Sequence, residues 1–427
     1  MTTRLFPSRR TAVGFLLVMA LTVGFLGAAR APQAAATGAG SAYVPVTPAR
    51  LLDTRTAGPG GSDLPLGEGA TLSLQVAGRD GLPSDPSQLT SVVLNVTIVN
   101  PTASSFLTLY PDGSTRPITT NLNFTAGQTT ANMAIVPVST ANGTVAVYNK
   151  NGTTDLLVDV AGYYTPAAAG ASTYDTVAST RILDTRNGTG ETNGTPAPVG
   201  VGATLPVTVE GVAGVPTTGV TAVVLNLTSA GSTLGSFLTA YPDGTTRPST
   251  SSLDFAAGET AANLVIVPLP ANTTQIDIYN RNGTTDVVAD LFGYYTSGTG
   301  ATFVPVSPTR MLDTRTAGTG GIDAPLSANT PLKLQITGVD GVPADSSSVT
   351  VTAVVLHLTV VNPTDASFLT AYPDGTGRPI TSNLNFSSGQ LISNLVIASV
   401  GPDGAVDVVN KFGTTDLVVD ISGYYSS

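Results

Sequence analysis

Three constellations of charged and aromatic residues each occur three times in the 427-residue chain. The first places Arg50, Asp53 and Arg55 within Arg-Leu-Leu-Asp-Thr-Arg, and returns as Arg181, Asp184 and Arg186 and again as Arg310, Asp313 and Arg315. The second holds Tyr110 and Arg116 within Tyr-Pro-Asp-Gly-x-x-Arg-Pro, and returns as Tyr241 with Arg247 and Tyr372 with Arg378. The third sets Asp155 and Asp159 ahead of Gly-Tyr-Tyr, and returns as Asp286 with Asp290 and Asp416 with Asp420.

Paired carboxylates suggest acid–base chemistry first. On a strand, residues four apart share a face and stand about 13 Å apart, beyond the roughly 5–9.5 Å that either class of glycoside hydrolase uses. Asp155 and Asp159 therefore form no catalytic pair by themselves. Their sequence neighbours are apolar, so both are expected to be partly buried, and a buried carboxylate needs a partner. Guanidinium matches carboxylate two bonds at a time. Arg50 and Arg55 are the expected partners, and the whole Arg/Asp set reads as a structural network tying the first strand of each unit to its last. A calcium loop would converge several carboxylates, whereas Asp63, Asp80, Asp85 and Asp112 stand singly. No metal or cofactor is expected.

Tyr-Pro-Asp-Gly reads as a turn, with Pro fixing φ and Gly taking the left-handed place. Its tyrosine and the following arginine are also the residue types of a sugar-binding shelf, an aromatic face beside a polar fork. That makes Tyr110, Arg116, Tyr241, Arg247, Tyr372 and Arg378 the candidate ligand-binding residues. His357, the one histidine, stands where the other copies carry Asn95 and Asn226. It reads as a polar strand position and not as a general base. With no cysteine and no Gly-x-Ser-x-Gly elbow, nucleophilic catalysis has no visible machinery and no catalytic residue is assigned.

The elements that must position these residues are strands. Gly (46) and Pro (30) are plentiful and charged residues make up only 11%, a composition of short strands and turns. In the first unit the expected strands are 44–46, 50–54, 71–77, 91–99, 106–110, 118–124, 132–138 and a closing hairpin of 144–148 with 155–161. Asn151-Gly152 is expected to form a two-residue type I′ turn there, with positive φ at both residues. Phe412 at the same place in the third copy strains that expectation. The repeat of about 130 residues matches one small domain per copy. The fold class is all-β: three tandem, jelly-roll-like β-sandwich modules at 43–165, 174–296 and 303–427. Linkers at 37–42, 166–173 and 297–302 are small and flexible in composition, which predicts modules strung as loosely coupled beads.

Residues 1–36 read as an export signal, with Arg4, Arg9 and Arg10 before the apolar run 11–26 and Ala34-Ala35-Ala36 as the cleavage site. Four of the arginines lie in this acid-free segment (Arg30 is the fourth), so the net charge of −10 becomes −14 once it is removed. Nucleic acid is excluded as a partner, since phosphate binding needs a basic face. No second apolar segment follows, so neither a C-terminal anchor nor a membrane partner is expected after signal removal.

Pro-x-Arg-x-x-Asp-Thr-Arg near the module start, Tyr-Pro-Asp-Gly-x-x-Arg-Pro in the middle and Gly-Thr-Thr-Asp-x-x-x-Asp-x-x-Gly-Tyr-Tyr at the end resemble the tandem repeats of secreted actinobacterial cell-surface proteins. Those repeats occur alone or attached to cell-wall-active or other extracellular domains. The resemblance spans the mature chain, with Ser179 departing where Pro48 and Pro308 stand. It implies an extracellular, cell-wall-associated location and carries no established activity. The expected function is non-enzymatic: a binding or structural role, with cell-wall or extracellular polysaccharide or a surface protein as partner. The alternatives are a hydrolase of glycans or esters, with carboxylates from neighbouring modules meeting at an interface, and an inert spacer or surface layer.

Overall fold

The computed structural model describes residue 1 and residues 40–427, apart from 59, 61–62, 167–170, 192–193 and 317. The expected signal segment therefore lies outside the described residues. The first module contains β1 (Ser41–Asp53), β2 (Thr71–Gln75), β3 (Ser91–Val99), β4 (Ser105–Pro111), β5 (Leu122–Phe124), β6 (Thr130–Pro137), β7 (Thr144–Asn149) and β8 (Asp155–Pro166). They form two antiparallel sheets, in the orders β1-β8-β3-β6 and β2-β7-β4-β5. This is the double Greek key of a jelly roll.

The second module repeats it with β9 (Thr173–Asp184), β10 (Thr204–Thr208), β11 (Val220–Ala230), β12 (Ser236–Pro242), β13 (Leu253–Phe255), β14 (Ala261–Pro268), β15 (Gln275–Asn280) and β16 (Asp286–Thr296). The third has β17 (Thr302–Asp313), β18 (Leu326–Ser327), β19 (Leu332–Gln335), β20 (Val351–Val361), β21 (Ser367–Pro373), β22 (Leu384–Phe386), β23 (Ile392–Ser399), β24 (Ala405–Asn410) and β25 (Thr414–Ser426). The short β18 pairs with β25 where the first two modules make single bridges, Leu66 with Thr154 and Val199 with Thr285.

Two local expectations change. β1 is one strand with a bulge between Pro45 and Ala49 in place of two short strands, because an edge strand absorbs a proline by bulging instead of ending. β7 and β8 belong to different sheets, so the segment between them is an inter-sheet crossover and not a hairpin. Only Gly152, Gly283 and Gly413 adopt positive φ there, at 58°, 57° and 60°. The type I′ turn is therefore absent, and Phe412 sits at its position without left-handed strain.

The pleat of β3 shows how the modules combine. Val92, Leu94, Val96 and Ile98 enter the sandwich core, while Val93, Asn95 and Thr97 point the other way and are buried too. A sandwich sheet normally leaves one face to water. Here that face is covered by the next module, and the expected loosely coupled beads are replaced by a closed ring. The starts of β1, β9 and β17 bridge in rotation, pairing Tyr43 with Ser172, Tyr174 with Ala301 and Phe303 with Ser41. The strands on either side of the second and third linkers, β8 with β9 and β16 with β17, all belong to that ring.

Six aromatic rings pack on the pseudo-threefold axis. Tyr43, Tyr164, Phe303, Tyr425, Tyr174 and Tyr295 follow one another around a closed loop with centroid spacings of 4.4–5.4 Å. The hydroxyls of Tyr164, Tyr295 and Tyr425 hydrogen-bond to one another at 2.7, 2.5 and 2.7 Å. Each hydroxyl can donate once and accept once, so three of them close without a water. The Gly of each Gly-Tyr-Tyr is required by the same packing. A Cβ on Gly162, Gly293 or Gly423 would lie 2.3 Å from an atom of Tyr43, Tyr174 or Phe303.

Candidate functional site

The recurring charged residues gather where modules meet. In the first module Arg50 forks onto Asp159 at 2.8 and 3.0 Å, joining β1 to β8 on the face turned toward the second module. Asn95 lies beside Asp159 in the ladder and donates to the Ser251 carbonyl at 2.8 Å. Thr97 reaches Asp254 of the second module at 3.4 Å. The lock recurs cyclically. Arg181 forks onto Asp290, which accepts from Ser382 N–H of the third module at 2.9 Å. Arg310 forks onto Asp420, which accepts from Thr120 N–H of the first at 2.9 Å. Arg181 and Arg310 also donate to the Ile380 and Ile118 carbonyls across these interfaces, each at 3.3 Å.

The pairing differs from expectation in one partner. Arg55 turns back onto Asp53 at 2.7 and 2.9 Å and does not reach Asp155 or Asp159 by hydrogen bond. Arg186 and Arg315 do the same with Asp184 and Asp313. The reason is local: the bend after β1 brings Arg55 N–H onto the same carboxylate, so the side chain closes the shortest available loop. Asp155, Asp286 and Asp416 accept from Thr54, Thr185 and Thr314.

Electrostatics separates the two kinds of acid. The Arg55 and Arg315 forks hold the Asp53 and Asp313 carboxyls below the usual carboxylate range. Burial pushes Asp159, Asp290 and Asp420 upward, and their arginines pull them part of the way back. A buried ion pair of this kind adds little net stability, but losing one partner is costly. A cavity of about 30 Å³ beside Asp159 has room for a water and not for a sugar.

The Tyr/Arg candidates form no open shelf. Tyr110, Tyr241 and Tyr372 are buried. Arg116 and Arg247 lie over the rings of Tyr148 and Tyr279, at 3.6 and 4.0 Å. Val409 occupies that ladder position in the third module, and Arg378 bonds to Asn329 at 3.2 Å instead. In the first two modules the neighbouring ring is thus covered by the protein's own arginine, and in the third that position carries no ring.

Sequence reasoning missed a ring of asparagines. The Oδ1 atoms of Asn132, Asn263 and Asn394 accept from Leu395, Met133 and Leu264 N–H groups respectively, each across an interface. Their recurrence at a constant spacing of 131 residues inside apolar strands was a readable signal. His357 belongs to the same polar layer. It is buried, and its Nε2 lies 3.3 Å from Asn121 Nδ2 of the first module.

Two larger hollows lie between modules. One, of about 440 Å³, is walled by Pro111, Pro117, Pro137, Pro305 and Pro308 together with Tyr110, Ser114, Thr115 and Ser307. The other, of about 160 Å³, lies between the second and third modules and is lined by Arg181, Arg186, Thr228, Thr260, Ser382 and Asn385 together with Phe368 and Ile380.

No family model and no curated protein matches the chain. Among solved structures it is similar to a chain described under "The Triple Jelly Roll Fold and Turret Assembly in an Archaeal Virus", at 10% identity over 91% of this chain and 90% of that one, TM-score 0.19. A chain from the atomic structure of Sulfolobus Turreted Icosahedral Virus aligns at 9% identity over 85% and 84%, TM-score 0.19. The N-terminal CBM22-1-CBM22-2 tandem domain from Paenibacillus barcinonensis Xyn10C aligns at 9% identity over 62% of this chain and all of that one, TM-score 0.17. At these TM-scores the likenesses carry no argument about function.

Proposed function

We propose that the chain is an extracellular, non-enzymatic binding protein that attaches to cell-wall or other extracellular polysaccharide through a rigid trio of jelly rolls. The observation that carries this reading is the use made of the triplicated Arg/Asp set: Arg50–Asp159, Arg181–Asp290 and Arg310–Asp420 are all buried ion pairs at module contacts. Carboxylates held this way are not free to shuttle protons, which counts against the hydrolase alternative. Three fused copies raise avidity for a repetitive surface when geometry allows simultaneous contact.

Co-sedimentation of the intact chain with insoluble cell-wall polysaccharide tests it. Retention that saturates and is competed by soluble fragments is expected. A chain left wholly in the supernatant contradicts binding and favours the inert spacer, and turnover of a glycan panel contradicts the non-enzymatic reading.

A further inference from the structure

We infer that the hollow between the second and third modules is a binding pocket for a single uncharged sugar residue of hexose size. This rests on the polysaccharide reading above and gives it a location. Its floor is polar and buried: Thr228, Ser382 and Asn385 are each at most 9% exposed. Asn385 uses its amide N–H groups on Thr228 and Ser382, which leaves its carbonyl oxygen without a donor among the described residues. The rim is open to solvent, formed by exposed Thr260 and Ile380 and by the half-exposed Arg186 side chain. Phe368, half-buried, supplies an aromatic wall. Converging hydroxyl, amide and guanidinium groups beside one aromatic face are the ingredients of hydroxyl recognition.

Charge decides the class of ligand. Arg186 is already paired with Asp184 and Arg181 with both Asp290 and Asp184. An anion would compete with two carboxylates and a cation would face two arginines, whereas a neutral polyol can use the donors that remain. Size decides the number of units. At about 160 Å³ the hollow is smaller than the roughly 300–1,000 Å³ of pockets for larger ligands, so it takes one ring and leaves the rest of a polymer outside. The larger hollow is walled by five prolines, and its polar side chains, Tyr110, Ser114, Thr115 and Ser307, include no guanidinium or amide fork.

The sister interfaces supply the controls. Ladder position identifies Ala230 with Val99 and Val361, since each lies opposite the first aspartate of its module's last strand. Thr260, immediately before β14, corresponds to Thr129 and Leu391. At the interface of the third module with the first, Val361 and Leu391 put bulk where Ala230 and Thr260 leave room.

The test uses the intact chain with glucose, galactose and mannose as probes, read by saturation-transfer-difference NMR. At least one hexose is expected to bind at millimolar concentration. Ala230→Val with Thr260→Leu, residues that the third module already tolerates, is expected to weaken it at least tenfold at an unchanged melting temperature. Val361→Ala with Leu391→Thr is expected to raise the signal by opening a second site. No hexose signal in the wild type, a signal that survives the filled pocket, or tenfold tighter binding of glucuronate than of glucose would each overturn the inference. Retention on insoluble polysaccharide, measured on the same proteins, separates the two readings. Undiminished retention by the filled variant refutes the pocket and leaves the function standing. A pocket-dependent hexose signal without retention of the wild type does the reverse.

Discussion

The contact between the first and second modules and the contact between the third and first are built from the same positions, yet each carries one titratable residue that the other lacks. In the first, Asp254 stands where Asn123 and Asn385 stand elsewhere. It bonds to Ser251 and Thr97 and lies near Asp159 and Arg50. In the second, His357 stands in place of Asn95 and Asn226, against Asn121 and the backbone of Met133. Burial pushes the Asp254 carboxyl up to about 6 and the His357 imidazole down to about 4. The same environment thus favours the neutral form of both groups, and the two interfaces respond to pH in opposite directions. A shared scaffold fixes the geometry, and single departures set the chemistry.

The largest effect is expected from removing what the interfaces share. Arg50→Ala and Arg310→Ala each leave a buried carboxylate unpaired, a cost of roughly 3–5 kcal/mol. Chemical denaturation should show nearly equal losses for the two. A loss confined to one would break the equivalence on which the comparison rests.

His357 comes next. Its folded pKa is lowered, so its contribution is present above the unfolded value near 6.5 and is lost as pH falls through about 4. The shift is worth about 3 kcal/mol. His357→Asn should flatten the acid limb of stability measured between pH 7 and 3.5. A wild-type acid limb retained in the variant would place the sensitivity elsewhere.

Asp254 has the reverse sign. Its folded pKa is raised, so its contribution is full below the unfolded value near 4 and is lost as pH rises through about 6. Some residual exposure discounts the effect to about 2 kcal/mol. Asp254→Asn should stabilise the protein at pH 7 and change little at pH 4. Stabilisation at both values would mean that carboxylate ionisation is not the cause. Since the two slopes oppose each other between about pH 4 and 6, each is read as the difference between its variant and the wild type. The smallest effect is expected at the axis: Tyr164→Phe removes one hydroxyl from the triad at a cost of about 1 kcal/mol.

Much of this fold was legible in the sequence. The alternation in Ser-Val-Val-Leu-Asn-Val-Thr-Ile-Val marks β3, and Tyr-Pro-Asp-Gly marks the end of β4. The threefold recurrence marks the modules. What local pattern could not give was the closure of the ring, because a face covered by another module looks like a face covered by its own core. Asn95 and Thr97 therefore read as ordinary polar strand positions, although they meet the next module. The pairing of Arg50 with Asp159 could be argued from charge. The turn of Arg55 onto Asp53 could not, since both acids are equally eligible in sequence and only the bend after β1 chooses. The tyrosine shelf failed for a similar reason, as nothing in the spacing shows that Arg116 lies over Tyr148.

That the three modules act as one body is tested most directly by scanning calorimetry of the intact chain. A single transition with calorimetric and van't Hoff enthalpies in a ratio close to one is expected of a ring closed by Tyr164, Tyr295 and Tyr425 and by three inter-module locks. Separate transitions, or a ratio of about three, would mean that the modules melt independently and would contradict it.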